Sequence, residues 1–420
     1  MSLEVDPPRE QRPALLNLAL PLAEPGTRRR VLVVDDEPGM RYVARRVLEK
    51  RFDVVEAEDG RHALEILERE PLHIAIVDVR LPDVSGLDLL TSLKLSSPSI
   101  DVIVMTGSAA DMDETLEAAI RRKAFFFLRK PFPMTVLETL TERVAETQEL
   151  EERLVAYART LEGYLESARA FQQRLLPPRF WKGSGIRIAS HYSPSEKLSG
   201  DSFDYWNLAG GGTAVAIVDV MGHGPSSAMI TGIVKSQLRS LTPEFDTPGE
   251  VLSCLEEELE RIALTSFLTA FLIFDRPEEG KLTYAGAGHP PALLWTPEEH
   301  DGSASSIRPL LSEGLPLNTR LQTGARTTTE LSRRPGSRFL LVTDGYTEAT
   351  SAEGAVFNET DGGPNTPLWN PATPFGQAVE RALGAESPET GIVTLERAWR
   401  EFTTGTQGED DRASLLAWLL

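Results

Sequence analysis

Two groups of acidic residues, far apart in the chain, have the types and positions that phosphate chemistry requires. Toward the front, Asp35-Asp36, Asp78, Thr106 and Lys130 each stand at the end of an apolar run. In the back half stand Asp201, Asp219, Asp344 and the pair Asp410-Asp411. Paired acids facing a third acid at another strand end make an all-oxygen site for Mg2+. A lysine and a hydroxyl beside such a site hold phosphoryl oxygens while a carboxylate is the acceptor. The second group consists of carboxylates, which suit Mg2+ or Mn2+, whereas His and Cys would favour Zn2+. Two hard ions bridged by a carboxylate activate water and offset the charge of a phosphomonoester. One set would take a phosphoryl group onto the chain, and the other would remove phosphate from something else.

The front set must be positioned by alternating strands and helices. VLVVDD, FDVVEA, HIAIVDV, DVIVMT and AFFFL read as short buried strands, with helical spacing between them, as at Met40, Val43, Ala44, Val47 and Leu48. Such alternation implies an α/β doubly wound, five-stranded parallel sheet covered on both faces. Ligands bind such sheets beyond the C-terminal strand ends, where all five residues fall. The first 28 residues carry five prolines and little periodicity and are expected to be a flexible tail.

Between Pro133 and Leu176 the only glycine is Gly163 and there is no further proline. Within this stretch Leu150, Leu154, Tyr157, Leu161, Tyr164, Ala168, Phe171 and Leu175 alternate spacings of four and three. That is an a/d heptad seam, expected as a two-stranded coiled coil and hence a homodimer. An amphipathic helix packed on its own domain is the alternative. Leu176-Pro177-Pro178 ends the helix. Beyond it, IRIASHY, TAVAIVDV, FLTAFLIFD, KLTYAGAG, PALLW, RFLLVTDG and ASLLAWLL read as strands. Helical stretches at 227–241, 248–264, 375–383 and 387–402 interrupt them, which predicts a layered α+β domain. Residues 297–308 and 351–374 look like inserted loops. The expected organisation is a tail over 1–28, an α/β domain over 29–132, a helical linker over 133–178 and an α+β domain over 179–420.

A length of 420 residues supports two or three domains with cores of their own. The net charge of -20 argues against nucleic acid or an anionic membrane as the main partner. Cys254 is the only cysteine, so no intrachain disulfide forms and a reducing, cytoplasmic location is expected. No apolar run reaches the ~18–20 residues of a membrane span. The acidic, Pro-rich start does not read as a signal peptide.

VLVVDDEPGM, IVDVRLPDVSGLDLL, VMTGSA and LRKPFP together resemble the receiver domain of two-component response regulators. The resemblance implies Asp78 as phosphoacceptor, with Asp35, Asp36, Asp78 and the Arg80 carbonyl around Mg2+. It implies Thr106, Phe127 and Lys130 as switch residues, a cis bond before Pro131 and a sensor histidine kinase as partner. LSGDSFDYW, VDVMGHGPSSAM, FLTAFLIFD, YAGAGHPPALL, VTDGYTEA and EDDRASLL resemble, in that order, the phosphatases of the stress-response and sporulation branch of the metal-dependent PP2C family. QQRLLPP matches the segment leading into that domain. This second resemblance implies a PP2C-like β-sandwich flanked by helices. It implies two Mn2+ or Mg2+ ions held by Asp201, Asp219, Asp344 and Asp411, with the Val220 carbonyl helping Asp219 as the bridging ligand. Asp411 is preferred to Asp410 from the family's spacing to Ser414. Ser199 and Asn318 stand where the family favours glycine. The implied activity is a receiver-controlled protein serine/threonine phosphatase acting on a STAS-type anti-sigma-factor antagonist. An adaptor with an inactive phosphatase-like domain is the alternative, and the presence of all four carboxylates favours the enzyme. His223 and His289 are expected to be structural histidines bonded to backbone.

Overall fold

The computed structural model describes residues 28–107, 112–262, 266–297, 307–319, 321, 324–359, 369–406 and 410–420. The expected tail, apart from its last residue, and the middles of both expected loops lie outside the described residues. The chain divides into two compact units, Met1–Arg159 and Thr160–Leu420.

The first unit runs β1 (Arg30–Val34), α1 (Pro38–Leu48), β2 (Asp53–Ala57), α2 (Gly60–Arg69), β3 (Ile74–Asp78), α3 (Gly86–Ser96), β4 (Asp101–Thr106), α4 (Met112–Arg121), β5 (Phe126–Arg129) and the start of α5 (Met134–Leu175). The five strands form one parallel sheet in the order β2-β1-β3-β4-β5. All five residues of β3 are buried, which is why its sequence is a continuous apolar run ending in Asp78. Asp59 and Ser85 cap α2 and α3 by accepting from the backbone N–H groups of His62 and Leu87. The core of this unit runs on past residue 132, where the linker was expected to begin. Leu137 and Val144 of α5 are fully buried with Val31, Val33, Ile76 and Met105. Gln148 then binds the His73 carbonyl at 2.9 Å and Asp101 at 2.8 Å. The peptide before Pro131 is cis.

Helix α5 is unbroken over 42 residues. The apolar seam does not pack on the chain's own core: exposure runs from 51% at Tyr157 to 65% at Phe171, with Leu150, Leu154, Leu161 and Tyr164 in between. Among the described residues no helix is long and apolar enough to cross a membrane.

The second unit continues through β6 (Phe180–Gly183), β7 (Ile186–Ser193), β8 (Asp201–Asn207), β9 (Thr213–Val220), α6 (Pro225–Leu241), α7 (Pro248–Arg261), β10 (Leu268–Arg276), β11 (Lys281–Ala287) and β12 (Ala292–Trp295). It ends with β13 (Ile307–Leu310), β14 (Thr329–Ser332), β15 (Arg338–Val342), the single turn α8 (Asp344–Thr347), α9 (Pro374–Leu383), α10 (Pro388–Phe402) and β16 (Arg412–Leu419). Two antiparallel sheets, β14-β11-β10-β9-β8 and β13-β12-β15-β16-β7-β6, pack face to face. β10 is buried on both faces. Phe271 and Ile273 face the other sheet, where they join Phe203 of their own sheet in meeting Phe339 and Leu415. Ala270, Leu272 and Phe274 point the opposite way, onto α6 and α7. This period of two with apolar residues on both sides explains the unbroken run FLTAFLIF. Each such phenylalanine contributes on the order of 1.5–3 kcal/mol by burial. Helices α9 and α10 cover the outer face of the second sheet through Val379, Leu383, Leu395 and Trp399. Thr247 and Glu250 close a capping box on α7, and Ser387 caps α10.

Four strands were not foreseen. β6, β13 and β14 are four-residue edge segments, too short for a period to register. β8, DSFDYWN, carries acids inside a strand, which its polar residues disguise.

Candidate functional site

The receiver residues gather at one end of the parallel sheet, as the strand ends require. Asp35 is fully buried, and Lys130 Nζ lies 2.6 Å from its Oδ2 and 3.2 Å from Asp78 Oδ1. Carboxylate oxygens of Asp35, Asp36 and Asp78 all lie within 4.8 Å of one another. That hard, all-oxygen donor set fits Mg2+. Burial pushes the Asp78 carboxyl up, against the pull of Lys130 and with the help of Asp35. Burial works against a charged Lys130, but its bonds and charge pairing with Asp35 and Asp78 hold the ammonium above its usual range. Thr106 is buried at the end of β4, and its carbonyl accepts from the Lys130 N–H at 2.7 Å. Phe127 is half-buried on β5, packed against the core that contains Val104. Arg80 is exposed two residues past Asp78, in a bridge with Ser85. A Cβ at Gly86 would stand 2.0 Å from the Asp78 carbonyl oxygen, so only glycine lets α3 begin over the end of β3.

In the second unit each sheet delivers acids to a common edge. Asp201 and Asp219 are direct partners across β8 and β9. Asp344 follows β15 and Asp410-Asp411 precede β16, two strands paired in the other sheet. The sheets are tied there by Thr343 Oγ1, which donates to Asp201 Oδ2 at 2.6 Å, and by the Gly200 N–H, which donates to Asp411 Oδ2 at 2.9 Å. A Cβ at Gly345 would meet the Asp411 carbonyl oxygen at 2.0 Å, so the approach of Asp344 to the 410–411 segment needs glycine. Burial and the neighbouring Asp219 push Asp201 well above the ordinary carboxylate range, against the Thr343 hydrogen bond. Burial and the charges of Asp344, Asp410, Asp411 and Glu348 lift Asp219 to about 7. Burial, Asp410 and Glu348 lift Asp344 to about 6. Like charges are thus crowded, and oxygen-only donors of this kind suit Mg2+ or Mn2+.

Asp411, expected as a ligand, is also held by the loop that leads into Asp201. Its Oδ1 accepts from the Ser195 N–H and hydroxyl, each at 2.8 Å, while Oδ2 takes the Gly200 N–H. Both oxygens are spent on the loop that leads into Asp201. Asp410 is exposed, and its charge acts on both Asp219 and Asp344. Asp411, favoured by its spacing to Ser414, also acts by its charge on Asp201 and Asp219 while loop 195–200 bonds its carboxylate.

One acid near the cluster was missed, and the residues named around it have contacts that the sequence did not show. Glu348 stands one helical turn after Asp344, a spacing visible in DGYTE. Gln172, at the end of α5, donates to the Ser199 carbonyl at 2.7 Å and accepts from the Ser199 N–H at 3.3 Å and the Tyr192 hydroxyl at 3.2 Å. Ser199 Oγ in turn accepts from the Asp201 N–H at 3.0 Å, so the serine in place of glycine has a bonding role. Asn318 adopts the left-handed φ of 64° that explains the family's preference for glycine. Val220 closes β9 beside Asp219, its N–H on the Gly200 carbonyl at 3.1 Å. His289 is buried, with Nδ1 2.7 Å from Thr269 Oγ1, and burial drives its pKa down to about 3. His223 is exposed beside Glu196 at 3.2 Å.

Comparison with known proteins accords with both halves. A model of the response regulator receiver domain matches residues 31–142, and one described as stage II sporulation protein E matches residues 209–417. The phosphoserine phosphatase RsbP of Bacillus subtilis is 28% identical over 193 residues, 45% of this chain and 46% of that protein. The response regulator protein PilR of Pseudomonas aeruginosa is 35% identical over 115 residues, 27% of this chain and 25% of that protein. The chain therefore spans less than half the length of these two curated relatives. Among solved structures, the SiaA-PP2C domain of Pseudomonas aeruginosa is 17% identical with a TM-score of 0.49, covering 63% of this chain and 99% of that one. The chain thus joins a response regulator receiver domain over residues 31–142 to a domain of the stage II sporulation protein E type over residues 209–417.

Proposed function

We propose that this chain is a response regulator whose receiver, phosphorylated at Asp78 by a sensor histidine kinase, controls a metal-dependent protein serine/threonine phosphatase. The observation that carries this reading is that the two sheets bring Asp201 and Asp219 from one side and Asp344 and Asp410 from the other to a common edge. Those four carboxylates, with the Val220 carbonyl, would hold two Mn2+ or Mg2+ ions. When bound, such ions supply an activated water and neutralise the phosphate dianion. Asp411 acts on the site by fixing Ser195 and Gly200. In the receiver, Asp35, Asp36, Asp78 and the Arg80 carbonyl would hold Mg2+, while Lys130 and Thr106 bind the phosphoryl oxygens and Phe127 responds to the change. The substrate class implied by the family resemblance is a STAS-type anti-sigma-factor antagonist. The test is turnover of p-nitrophenyl phosphate with Mn2+, with and without beryllofluoride on the receiver. Mn2+-dependent turnover that changes with beryllofluoride is the expected result. No hydrolysis of this ester or of any phosphoprotein would leave an adaptor.

The exposed part of the seam, from Leu150 to Phe171, supports a homodimer through a parallel coiled coil. Leu154→Glu with Leu161→Glu would bury like charges in that seam and cost on the order of several kcal/mol. Light scattering is expected to give a dimer for the wild type and a monomer for the double variant. A wild-type monomer at micromolar concentration rules the seam out. The last turn of the same helix carries Gln172, whose carboxamide grips the residue that bonds the Asp201 N–H. A shift of α5 driven by the receiver would therefore reach the acids through Ser199.

A further inference from the structure

Helix α10 has no acid of the cluster on it, yet it carries a buried carboxylate aimed at the acid-bearing segments. Glu396 is 5% exposed. Its Oε1 accepts the hydroxyl of Tyr346, and its Oε2 lies 2.9 Å from His191 Nε2. The second contact is one of charge rather than a well-directed hydrogen bond, favourable when the imidazole carries a proton. Tyr346 is fully buried two residues after Asp344, and its hydroxyl also lies 3.0 Å from Ser414 Oγ on β16. Three residues further along α10, on the same face, Trp399 Nε1 donates to the Gly345 carbonyl at 3.2 Å. The Arg412 guanidinium rests on the Trp399 ring, 3.1 Å from its centroid. One helix face thus grips both the Asp344 turn and the chain immediately after Asp410-Asp411.

A buried carboxylate is costly unless it is paired, so an apolar residue at 396 would pack α10 more cheaply. What the carboxylate adds is direction. Tyr346 sits in the same turn as Asp344, and a hydroxyl tied to Glu396 fixes the rotation of that turn about β15. We propose that Glu396, acting through Tyr346, and Trp399 are positioning residues that set the aim of Asp344 into the acid cluster. This rests on the phosphatase reading above. Outer-layer partners of metal-binding carboxylates are worth about 10–100-fold in metal affinity or activity when removed.

The test is Mn2+ binding by isothermal titration calorimetry on the full chain, together with p-nitrophenyl phosphate kinetics. Tyr346→Phe, which keeps the ring and the packing, is expected to weaken Mn2+ binding about 10–100-fold and to lower kcat while leaving KM within about twofold. Trp399→Phe is expected to do the same more mildly. Glu396→Gln keeps an oxygen for the tyrosine hydroxyl and is expected to recover most of the affinity that Glu396→Ala loses. If Tyr346→Phe and Trp399→Phe both bind Mn2+ as the wild type does and merely melt earlier, the network is packing alone and the inference is overturned. Wild-type chain that binds Mn2+ but hydrolyses nothing would remove the phosphatase reading and leave the positioning inference to be decided by the Mn2+ affinities. Wild-type chain that binds no Mn2+ at millimolar concentration overturns both.

Discussion

Asp219→Ala is expected to lower Mn2+-dependent kcat/KM for p-nitrophenyl phosphate by on the order of a thousandfold or more, and to weaken metal binding with it. Asp219 lies opposite Asp201 across the strand pair and feels Asp344, Asp410 and Asp411, which places it between the two halves of the cluster. The same substitution should stabilise the metal-free fold at neutral pH. Asp219 is lifted to about 7 from a reference of 3.8, so between roughly pH 4 and 7 the folded chain keeps a proton that the unfolded chain has released. Stability is then lost as pH rises through that window, by on the order of a few kcal/mol. The Tm of metal-free wild type should fall from pH 5 to pH 8, Mn2+ should reverse the fall, and Asp219→Ala should flatten it. A variant that retains turnover takes Asp219 out of the site. Asp410→Asn is expected to follow Asp219→Ala in activity, whereas Asp411→Asn should mainly lower Tm, because its carboxylate holds Ser195 and Gly200.

Asp78→Ala is expected to abolish labelling by acetyl phosphate and binding of beryllofluoride, both of which the wild type shows with Mg2+. Asp78 is the acid at the end of the fully buried central strand, and Lys130 reaches it at 3.2 Å. Lys130 keeps its 2.6 Å bond to Asp35 in the variant, so the ammonium is not stranded. Burial raises the Asp78 carboxyl above its ordinary range, so ionised Asp78 detracts from stability at neutral pH. The variant should therefore melt no earlier than wild type at pH 7, which separates lost chemistry from lost folding. Equal labelling of both proteins would remove Asp78 from its role. Beryllofluoride should also change the phosphatase turnover of wild type and leave that of Asp78→Ala unchanged, which ties the two units to one signal.

The sequence by itself determined the receiver almost completely. Its site residues each sit at the end of an apolar run, and a parallel sheet necessarily brings such ends together. The same reasoning found α5, because a strict heptad free of proline and interrupted by no glycine but Gly163 needs no tertiary partner to be read as helix. It found the long strands β9, β10 and β16 because both faces of each are apolar. It failed on β8, whose buried acids hide the strand, and on β6, β13 and β14, whose four residues carry no readable period. Only the tertiary structure decided that the core of the first unit takes in the start of α5, since Leu137 and Val144 look like any other helical apolar pair. Only it showed how Asp411 is held. Adjacent residues of one type are indistinguishable along a chain, and the loop that bonds both oxygens of Asp411 lies some 210 residues away. The roles of Gln172, Ser199 and Glu396 were hidden for the same reason. A polar side chain declares its partner only when folding removes it from water and leaves a particular donor or acceptor within reach.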